Sequence, residues 1–239
     1  MIVSDAGCHA HGFARAWRHT LPNFAIGPLE DRPGISRLAT EGPFASQHKA
    51  MTHRKTCKRF NDPRHAHALT FSCFRRQAFL SKDRSRTWLI EAVDQARVKH
   101  CFHVWAYVLM PEHAHLLLWP TEPQYDISDI LNSIKQSVAK RALIYVRREA
   151  PAFLSRMEDR QPNGRKHYRF WQRGGGYDRN VVEPTTVHEQ IEYIHNNPVR
   201  RGLCERPEQW PWSSAADYAG VRAGPLKLNA ESLPQIVAS

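Results

Sequence analysis

The segment CFHVWAYVLMPEHAHLLLWP, residues 101–120, decides the fold predicted for this chain. Residues 102–110 and 113–119 are short runs rich in valine, leucine and aromatic side chains, which is typical of buried β-strands. Pro111, between the two runs, favours a turn because its ring fixes φ and it has no backbone N–H to donate to a sheet. The segment therefore predicts two β-strands joined by a tight turn.

Two histidines follow the turn directly. Side chains alternate between the two faces of a strand, so we expect His113 and His115 on one face and Ala114 on the other. Two imidazoles side by side on a stiff element form half of a metal site. The alternative for this pair is two partly exposed strand histidines that bind nothing.

The chain is strongly basic. Its 239 residues include 34 lysines and arginines against 23 aspartates and glutamates, a formal net charge of +11. A cationic surface of this size fits a polyanion, with nucleic acid as the first candidate and an anionic membrane surface as the second. The longest apolar run near the centre, residues 104–110, is too short to span a bilayer, so we expect no membrane segment.

The cysteines and the N-terminal residues bear on the cellular compartment. The five cysteines are scattered and include no CxxC pair, which favours reduced thiols over a disulfide framework. Residues 1–20 lack the continuous apolar run of a signal peptide. Both observations predict a cytoplasmic protein.

Residues 1–50 differ from the rest of the chain. They show no sustained period and contain five basic and four acidic residues, so +10 of the net charge falls on residues 51–239. We expect residues 1–50 to be an N-terminal extension, which is either disordered or the product of a gene start assigned upstream of Met51. A main domain over residues 51–220 and a C-terminal tail over residues 221–239 complete the predicted organisation.

The remaining patterns alternate between strands and helices. In chain order, we predict a strand at 66–74, a helix capped by Ser85 and running to 99, the two strands of 101–120, a helix capped by Asp126 or Ser128 and running to 149, a loop at 152–164, a strand at 168–172 and a helix at 184–197. This order predicts an α+β fold in which one antiparallel sheet carries helices on one face, in the manner of a ferredoxin-like unit. The other face or edge of the sheet is then free to hold a site.

The last predicted helix carries two further polar side chains of interest. Tyr193 and Asn197 stand four residues apart, which is the spacing of neighbours on a helix surface. A tyrosine can act as a nucleophile, and an asparagine oxygen can ligate a metal. A tyrosine on an amphipathic helix is more often part of the core, so this pair gains weight only together with the histidines.

Taken together, the order and spacing of these motifs resemble the HUH single-tyrosine transposases, and in particular the REP-associated tyrosine transposase branch. Five segments carry the resemblance: HAHALTFS (65–72), VLMPEHAH (108–115), FW (170–171), YIHNNPV (193–199) and WPWSS (210–214). The resemblance runs from about residue 58 to residue 218 and leaves residues 1–50 outside.

The resemblance implies that residues 51–220 form a single-tyrosine transposase-like catalytic domain. His113 and His115 would ligate a divalent metal, Mg²⁺ or Mn²⁺, with Asn197 as the third protein ligand. Tyr193 would be the nucleophile of a metal-dependent endonuclease and strand transferase. The implied substrate is single-stranded DNA at palindromic repeats folded as hairpins, cleaved through a 5′-phosphotyrosine intermediate. The implied assembly is a monomer, with a dimer as the alternative.

Basic residues in the lead-in to the first strand, in the long helix and around the glycine-rich loop are assigned to DNA binding. They are Arg54, Lys55, Lys58, Arg59, Lys135, Arg173 and Arg179. Three glycines after Arg173 let a backbone approach a phosphate or a base, or else form a plain hairpin loop.

Three alternatives stay open. The chain could be a non-catalytic nucleic-acid-binding protein on the same fold, or a metal-dependent nuclease that uses water as its nucleophile. A second His-x-His, formed by His65 and His67, would with Cys57 and Cys73 suggest a structural zinc site, although the spacing fits no common zinc module. Otherwise this second pair packs at the entrance of a strand or near bound DNA.

Overall fold

The structure, a computed structural model, describes residues 60–236, which belong to the unit Cys57–Ser239. Its strands and helices follow the order β1 (Ala66–Ser72), α1 (Asp83–His100), β2 (Phe102–Leu109), β3 (His113–Pro120), α2 (Ile127–Glu149), α3 (Leu154–Met157), β4 (Glu158–Arg160), β5 (Lys166–Tyr168), β6 (Tyr177–Val181), α4 (Pro184–His195), α5 (Asn197–Arg200) and α6 (Ala215–Tyr218). Short 3₁₀ turns lie at Phe74–Arg76, Pro151–Phe153, Pro207–Gln209 and Ala230–Ser232. The predicted boundary at residue 50 lies outside the described residues, as do Arg54, Lys55, Cys57, Lys58 and Arg59.

Four strands form one antiparallel sheet in the order β2-β3-β1-β6. Along the chain, α1 follows β1 and α2 follows β3, which gives the β-α-β-β-α-β order of a ferredoxin-like unit. Strands β4 and β5 form a separate two-stranded sheet. The predicted α+β class with an antiparallel sheet is confirmed.

The alternation of side chains divides the sheet between two apolar clusters. The face that packs on α1 and α2 buries strand residues that include Leu69, Phe71, Val104, Leu116 and Leu118. The opposite face packs on α4 and buries residues that include Ala66, Ala68, Val108, Leu117 and Ile191. The helices predicted on one face of the sheet are therefore accompanied by a third helix on the other face.

The two long helices begin in different ways. Of the two caps predicted for α2, Asp126 is the one observed, since its side chain accepts a hydrogen bond from the Ser128 N–H at 2.6 Å. Helix α1 begins at Asp83, before the cap predicted at Ser85, and the Ser85 hydroxyl donates to the Lys82 carbonyl instead. That prediction was wrong because a serine ahead of an apolar run can also bond back within the first turn. Within the described part of the chain, no helix is long and apolar enough to cross a membrane.

The fourth strand of the sheet is β6, and not the strand predicted at residues 168–172. In that predicted segment, Trp171 makes an isolated antiparallel bridge to Cys73, and Tyr168 ends β5. Strand β6 escaped prediction because its residues are mostly polar. Its Asp178 is buried through a bond to His67, 111 residues away. The predicted loop at 152–164 contains α3 and β4.

Residues near the C-terminus cover the outer edge of β2. The Leu109 N–H donates to the Trp212 carbonyl at 2.8 Å. Asn229 binds Val104 twice, through its backbone N–H at 3.0 Å and through its Oδ1 at 3.2 Å. Leu226, which is 2% exposed, enters the core. Residues 221–236, which were predicted as part of a tail, therefore pack against the domain.

Candidate active site

His113 and His115 stand at the start of β3 and project from the face of the sheet that contacts α4. Alternation accounts for this, because Leu117, two residues further on, lies in the cluster on that face. The two ring planes are inclined by 82°, with centroids 4.8 Å apart. Their Nε2 atoms are 3.0 Å apart, a distance that either a hydrogen bond or a shared cation would produce. Each imidazole thus points its Nε2 atom at the Nε2 atom of the other.

The other nitrogen of each imidazole faces an oxygen atom. Oε1 of Glu112 lies 3.2 Å from Nδ1 of His113, and Oγ1 of Thr70 lies 2.8 Å from Nδ1 of His115. Because a carboxylate only accepts, Nδ1 of a neutral His113 carries the proton and its Nε2 keeps a lone pair. The Thr70 hydroxyl can accept from His115 in the same way. Such oxygens orient metal-binding histidines and select their tautomer.

Burial keeps both imidazoles neutral. Desolvation lowers the pKa of His113, and the Glu112 carboxylate opposes this only in part. Desolvation also lowers the pKa of His115 to about 3, with the neighbouring His113 and Arg200 acting in the same direction. Burial alone would raise the pKa of Glu112, but the hydrogen bond from Arg201 and the nearby His113 outweigh it and lower that pKa. Neutral imidazoles are what metal coordination requires.

Tyr193 lies in the last turn of α4, beside the histidines. Its ring centroid is 5.9 Å from that of His115, and the two rings are nearly perpendicular at 87°. The residue is 43% exposed, and the guanidinium carbon of Arg200 lies 4.8 Å from its ring centroid. The tyrosine is therefore no core side chain, and the structure brings it together with both histidines.

Asn197 begins α5, four residues after Tyr193, and is buried. Its Nδ2 donates to the carbonyl of Tyr193 at 2.7 Å and to that of Ile194 at 3.4 Å. With the amide nitrogen held on the backbone, Oδ1 is the atom that can coordinate a cation. The helix predicted over 184–197 is divided here, because α4 ends at His195 and Asn196 caps it.

A buried hydrogen-bond chain anchors the end of α4 to the sheet. Nε2 of His195 lies 2.8 Å from Oγ of Ser214, which accepts from the Tyr107 N–H at 3.0 Å. Burial lowers the pKa of His195 to about 4. Because His195 stands between Tyr193 and Asn197 in the chain, this anchor fixes both of them relative to β2. Ser214 belongs to the WPWSS segment, whose part in the site the sequence did not reveal.

The spacing of the two Nε2 atoms is compatible with a shared divalent cation. Two nitrogens about 2.1 Å from an ion are about 3.0 Å apart at a right angle and about 3.4 Å apart in a tetrahedron. The Nε2 atoms of His113 and His115 are 3.0 Å apart. Among residues 60–236, no group of three or more His, Cys, Asp and Glu side chains could hold a metal. The third protein ligand expected from the resemblance, Oδ1 of Asn197, stays a prediction.

The predicted DNA-binding residues that the structure describes fall in two places. Lys135 and Arg173 line one groove, where Nζ of Lys135 donates to the Gly174 carbonyl at 2.8 Å. Arg179 is exposed on β6 and pairs in register with Ala68, so it shares the sheet face that contacts α4. The DNA-binding role of these three residues stays a prediction.

Within residues 60–236, His65 and His67 belong to no group of side chains that could hold a metal. His67 is fully buried, with Nδ1 2.8 Å from the Asp178 carboxylate and Nε2 2.8 Å from the Tyr125 hydroxyl. Both ring nitrogens are thus engaged by protein groups, and Cys73 lies beyond the far end of β1. This pair packs where β1 begins, as the alternative interpretation expected.

Four side chains around the site were not singled out from the sequence. Thr70 and Glu112 contact the histidines, Arg200 covers the tyrosine ring, and Arg201 donates to Glu112 at 2.6 Å. Glu112 directly precedes the first histidine, and Arg200 and Arg201 follow the tyrosine motif, so their nearness in sequence to these motifs indicated that they could belong to the site. Thr70 offered none, because its partner lies 45 residues away.

A curated relative and a solved structure agree with the predicted resemblance. A protein from Haemophilus influenzae assigned as a REP-associated tyrosine transposase is 23% identical over 140 residues, 56% of this chain and 74% of that protein. A solved REP-associated tyrosine transposase bound to a REP hairpin matches with a TM-score of 0.52 and 20% identity, over 76% of this chain and 98% of the other. A solved Deinococcus radiodurans protein assigned as a transposase matches with a TM-score of 0.37 and 22% identity, over 58% and 95% of the two chains.

The family assignment rests on a match to a family model. The model of the family described as "Transposase IS200 like" covers residues 63–197, more than half of the chain. This range contains the four strands of the sheet, both histidines and the tyrosine. By fold, by motif order and by this match, the chain belongs to the IS200-like transposase family.

Proposed function

We propose that this chain is a divalent-metal-dependent endonuclease and strand transferase that acts on single-stranded DNA at palindromic repeats folded as hairpins. Tyr193 is the nucleophile, and His113, His115 and Asn197 are the residues that would hold Mg²⁺ or Mn²⁺. The observation that carries the proposal is the exposed Tyr193 ring, 5.9 Å from the ring of His115, whose Nε2 converges with that of His113.

In the proposed reaction, Oη of Tyr193 attacks the phosphorus of a phosphodiester and the bond to the 3′ oxygen breaks. The phenol releases its proton, and the leaving oxygen takes one up to become a free 3′-hydroxyl. The downstream strand stays attached as a 5′-phosphotyrosine. Because one phosphate ester replaces another, rejoining needs no ATP. Ionising a free phenol at pH 7 costs about 4 kcal/mol, and a cation at the histidines would help by balancing the charge that develops on the phosphate.

The charges around the histidines support an anionic substrate. Desolvation is the main cause that lowers the pKa of both histidines, and the positive charges of Arg76 and Arg201 at His113 and of Arg200 at His115 add to it, so all three guanidinium groups lie near the pair. The imidazoles are neutral and the chain carries a net charge of +11. Arginines in this setting attract and position phosphates.

The hairpin as substrate and the single copy as the working unit are extensions from two observations. The solved relative in the comparison is bound to a REP hairpin, and we extend that ligand to this chain. Tyr193 and both histidines of one chain lie side by side, so one copy supplies the nucleophile and the imidazoles together. We therefore expect a monomer to suffice, which light scattering of the active fraction would check.

A covalent adduct is the decisive product. Hairpin oligonucleotides with single-stranded flanks, taken from palindromic repeats near the gene, are incubated with the protein and Mn²⁺. We expect radiolabel at the 3′ end to become attached to the protein, whereas label at the 5′ end stays on a free fragment that terminal transferase can extend. Chelation of the metal abolishes both products.

Two variants separate the alternatives. Tyr193→Phe removes the nucleophile, and Tyr177→Phe, which changes another exposed tyrosine, is the matched control and keeps the adduct. Cleavage that survives Tyr193→Phe without a protein–DNA link would identify a nuclease that uses water. Binding of the hairpin by the wild-type protein without any adduct would identify a binding protein.

A further inference from the structure

An open groove of about 470 Å³ lies between α2 and the segment 168–175. This volume falls within the range of small-molecule sites in proteins, roughly 300–1,000 Å³. Polar side chains of both walls include Asn132, Lys135 and Gln136 from the helix and Gln172 and Arg173 from the segment. The groove is separate from the histidines and from Tyr193.

The two walls are tied together through Lys135. Its backbone carbonyl accepts from Nε1 of Trp171 at 2.9 Å, and its Nζ donates to the Gly174 carbonyl at 2.8 Å. Trp171 is 6% exposed and packs edge-on against Phe71, with centroids 5.1 Å apart. Because both walls are anchored to the core, the groove exists before any ligand enters.

The polar groups of the groove fit a nucleobase better than a phosphate. Its three cations already have partners, since Lys135 donates to the Gly174 carbonyl and both Arg169 and Arg173 pair with the Asp159 carboxylate. The three amides are different. Asn132 and Gln136 are exposed on successive turns of α2, and an amide side chain offers both a donor and an acceptor, as base edges require.

The side-chain amide of Gln172 is oriented so that it can hydrogen-bond to the edge of a base. Its Oε1 accepts from the Arg75 N–H at 3.0 Å, so its NH₂ group is the end that can meet a ligand. The Gln172 N–H donates to the Ser72 carbonyl at 2.9 Å, and Ser72 pairs in register with His113. Two inter-strand spacings, about 10 Å in all, therefore separate the backbone of Gln172 from that of His113, although the groove lies on the α2 face of the sheet and the histidines lie on the α4 face.

We propose that this groove takes one unpaired base of the substrate strand and that the amides of Asn132, Gln136 and Gln172 read its identity. The choice of DNA as ligand rests on the function proposed above. The groove gives that function a place for sequence preference, which the histidines and the tyrosine cannot supply because they act on the phosphate.

The test is a selection with randomised flanks. A DNA hairpin carries six random nucleotides on each side, and the fraction bound without metal is sequenced for the wild-type protein and for Asn132→Ala/Gln136→Ala. The wild type is expected to favour one base at one flank position by about tenfold, and the double variant to lose that preference while the preferences elsewhere remain. Gln95→Ala, an exposed glutamine of α1, is the matched control.

Base preferences that are the same at every position in the double variant and the wild type would overturn the proposal, as would a wild type without any preference. Thermal melting of the double variant at the wild-type temperature establishes that it is folded. The readout is binding without metal, so it is independent of Tyr193 chemistry. A lost preference in a protein that forms no adduct would refute the proposed function and leave the groove assignment standing.

Discussion

Nη1 of Arg201 donates to Oε1 of Glu112 at 2.6 Å, and the same oxygen lies 3.2 Å from Nδ1 of His113. Arg201 and Glu112 are 89 residues apart in the chain. One follows the segment that carries Tyr193, and the other precedes the strand that carries the histidines. The carboxylate of Glu112 thus joins the nucleophile side of the site to the metal side.

Replacing Arg201 should loosen the metal side of the site. In Arg201→Ala, Glu112 loses its hydrogen-bond donor and holds His113 less firmly. We expect Mn²⁺ affinity to fall by about tenfold, because groups that orient metal ligands typically contribute this much. Isothermal titration with Mn²⁺ measures the change. Arg206→Ala is the control, since that exposed arginine pairs with Glu208, and equal affinities for the two variants would refute the link.

The hydroxyl group of Thr70 should contribute more to Mn²⁺ affinity than the branched shape of its side chain does. Thr70→Val keeps the branched side chain but removes the oxygen that lies 2.8 Å from Nδ1 of His115. We expect Mn²⁺ affinity to fall by about 10- to 100-fold in this variant. Thr70→Ser restores a hydroxyl and should bind Mn²⁺ nearly as the wild type does. If serine and valine gave the same affinity, Thr70 would be a packing residue only.

Gly176 and Gly174 provide a matched pair for the backbone near β6. Both have positive φ, +79° and +86°, so alanine is strained at either position. A Cβ at Gly176 would lie 2.1 Å from the Thr70 carbonyl oxygen, whereas one at Gly174 meets nothing within 4 Å. We expect Gly174→Ala to lower the free energy of unfolding by about 1 kcal/mol, and Gly176→Ala by a further 1–3 kcal/mol or so from overpacking.

Urea denaturation of both variants measures these two losses. Equal losses would mean that the loop shifts freely away from β1. In that case, Thr70 would not be held by its contact with Gly176, and the hydrogen bond to His115 would depend on β1 and β3 alone.

Acid should destabilise the metal-free protein at a pH where carboxylates are still ionised. Burial lowers the pKa of His115 to about 3 and of His195 to about 4, whereas a histidine in an unfolded chain titrates near about 6.5. Below that pH the unfolded chain binds protons that the folded chain does not. Stability therefore falls as pH decreases, with a slope that approaches roughly 2.7 kcal/mol per pH unit for two groups.

Urea denaturation at pH 7.5, 6.5 and 5.5 with a chelator present tests this slope. His167 is exposed, so His167→Gln should leave the profile unchanged. A free energy of unfolding that stays constant from pH 7.5 to 5.5 would show that the two buried rings take up protons in the folded state.

The sequence was most informative where the signal is local. Pro111 lies between two contiguous apolar runs, and Asp126 directly precedes an apolar period, so the central hairpin and α2 were predicted closely. Strand β6 was missed, because its buried Asp178 depends on His67 from another strand. A polar residue that is buried by a distant partner leaves no mark in a local hydrophobic pattern.

In the candidate site, too, local patterns predicted some positions, whereas others depend on partners far away in the chain. Alternation along one strand was enough to place His113 and His115 on a common face. The nearness of Tyr193 followed only from the resemblance to a family, because 78 residues separate it from His115. The contact between Thr70 and His115 depends on the register of β1 against β3, which composition and periodicity do not encode.

The covered edge of β2 has a consequence for handling the protein. An open sheet edge is a template on which another polypeptide can add a strand, and this is a common route to aggregation. The N–H of Leu109 is already bonded to Trp212, and Val104 is bonded to Asn229. Protease nicking or truncation that released these partners would unmask the template, and a well-behaved preparation would then self-associate.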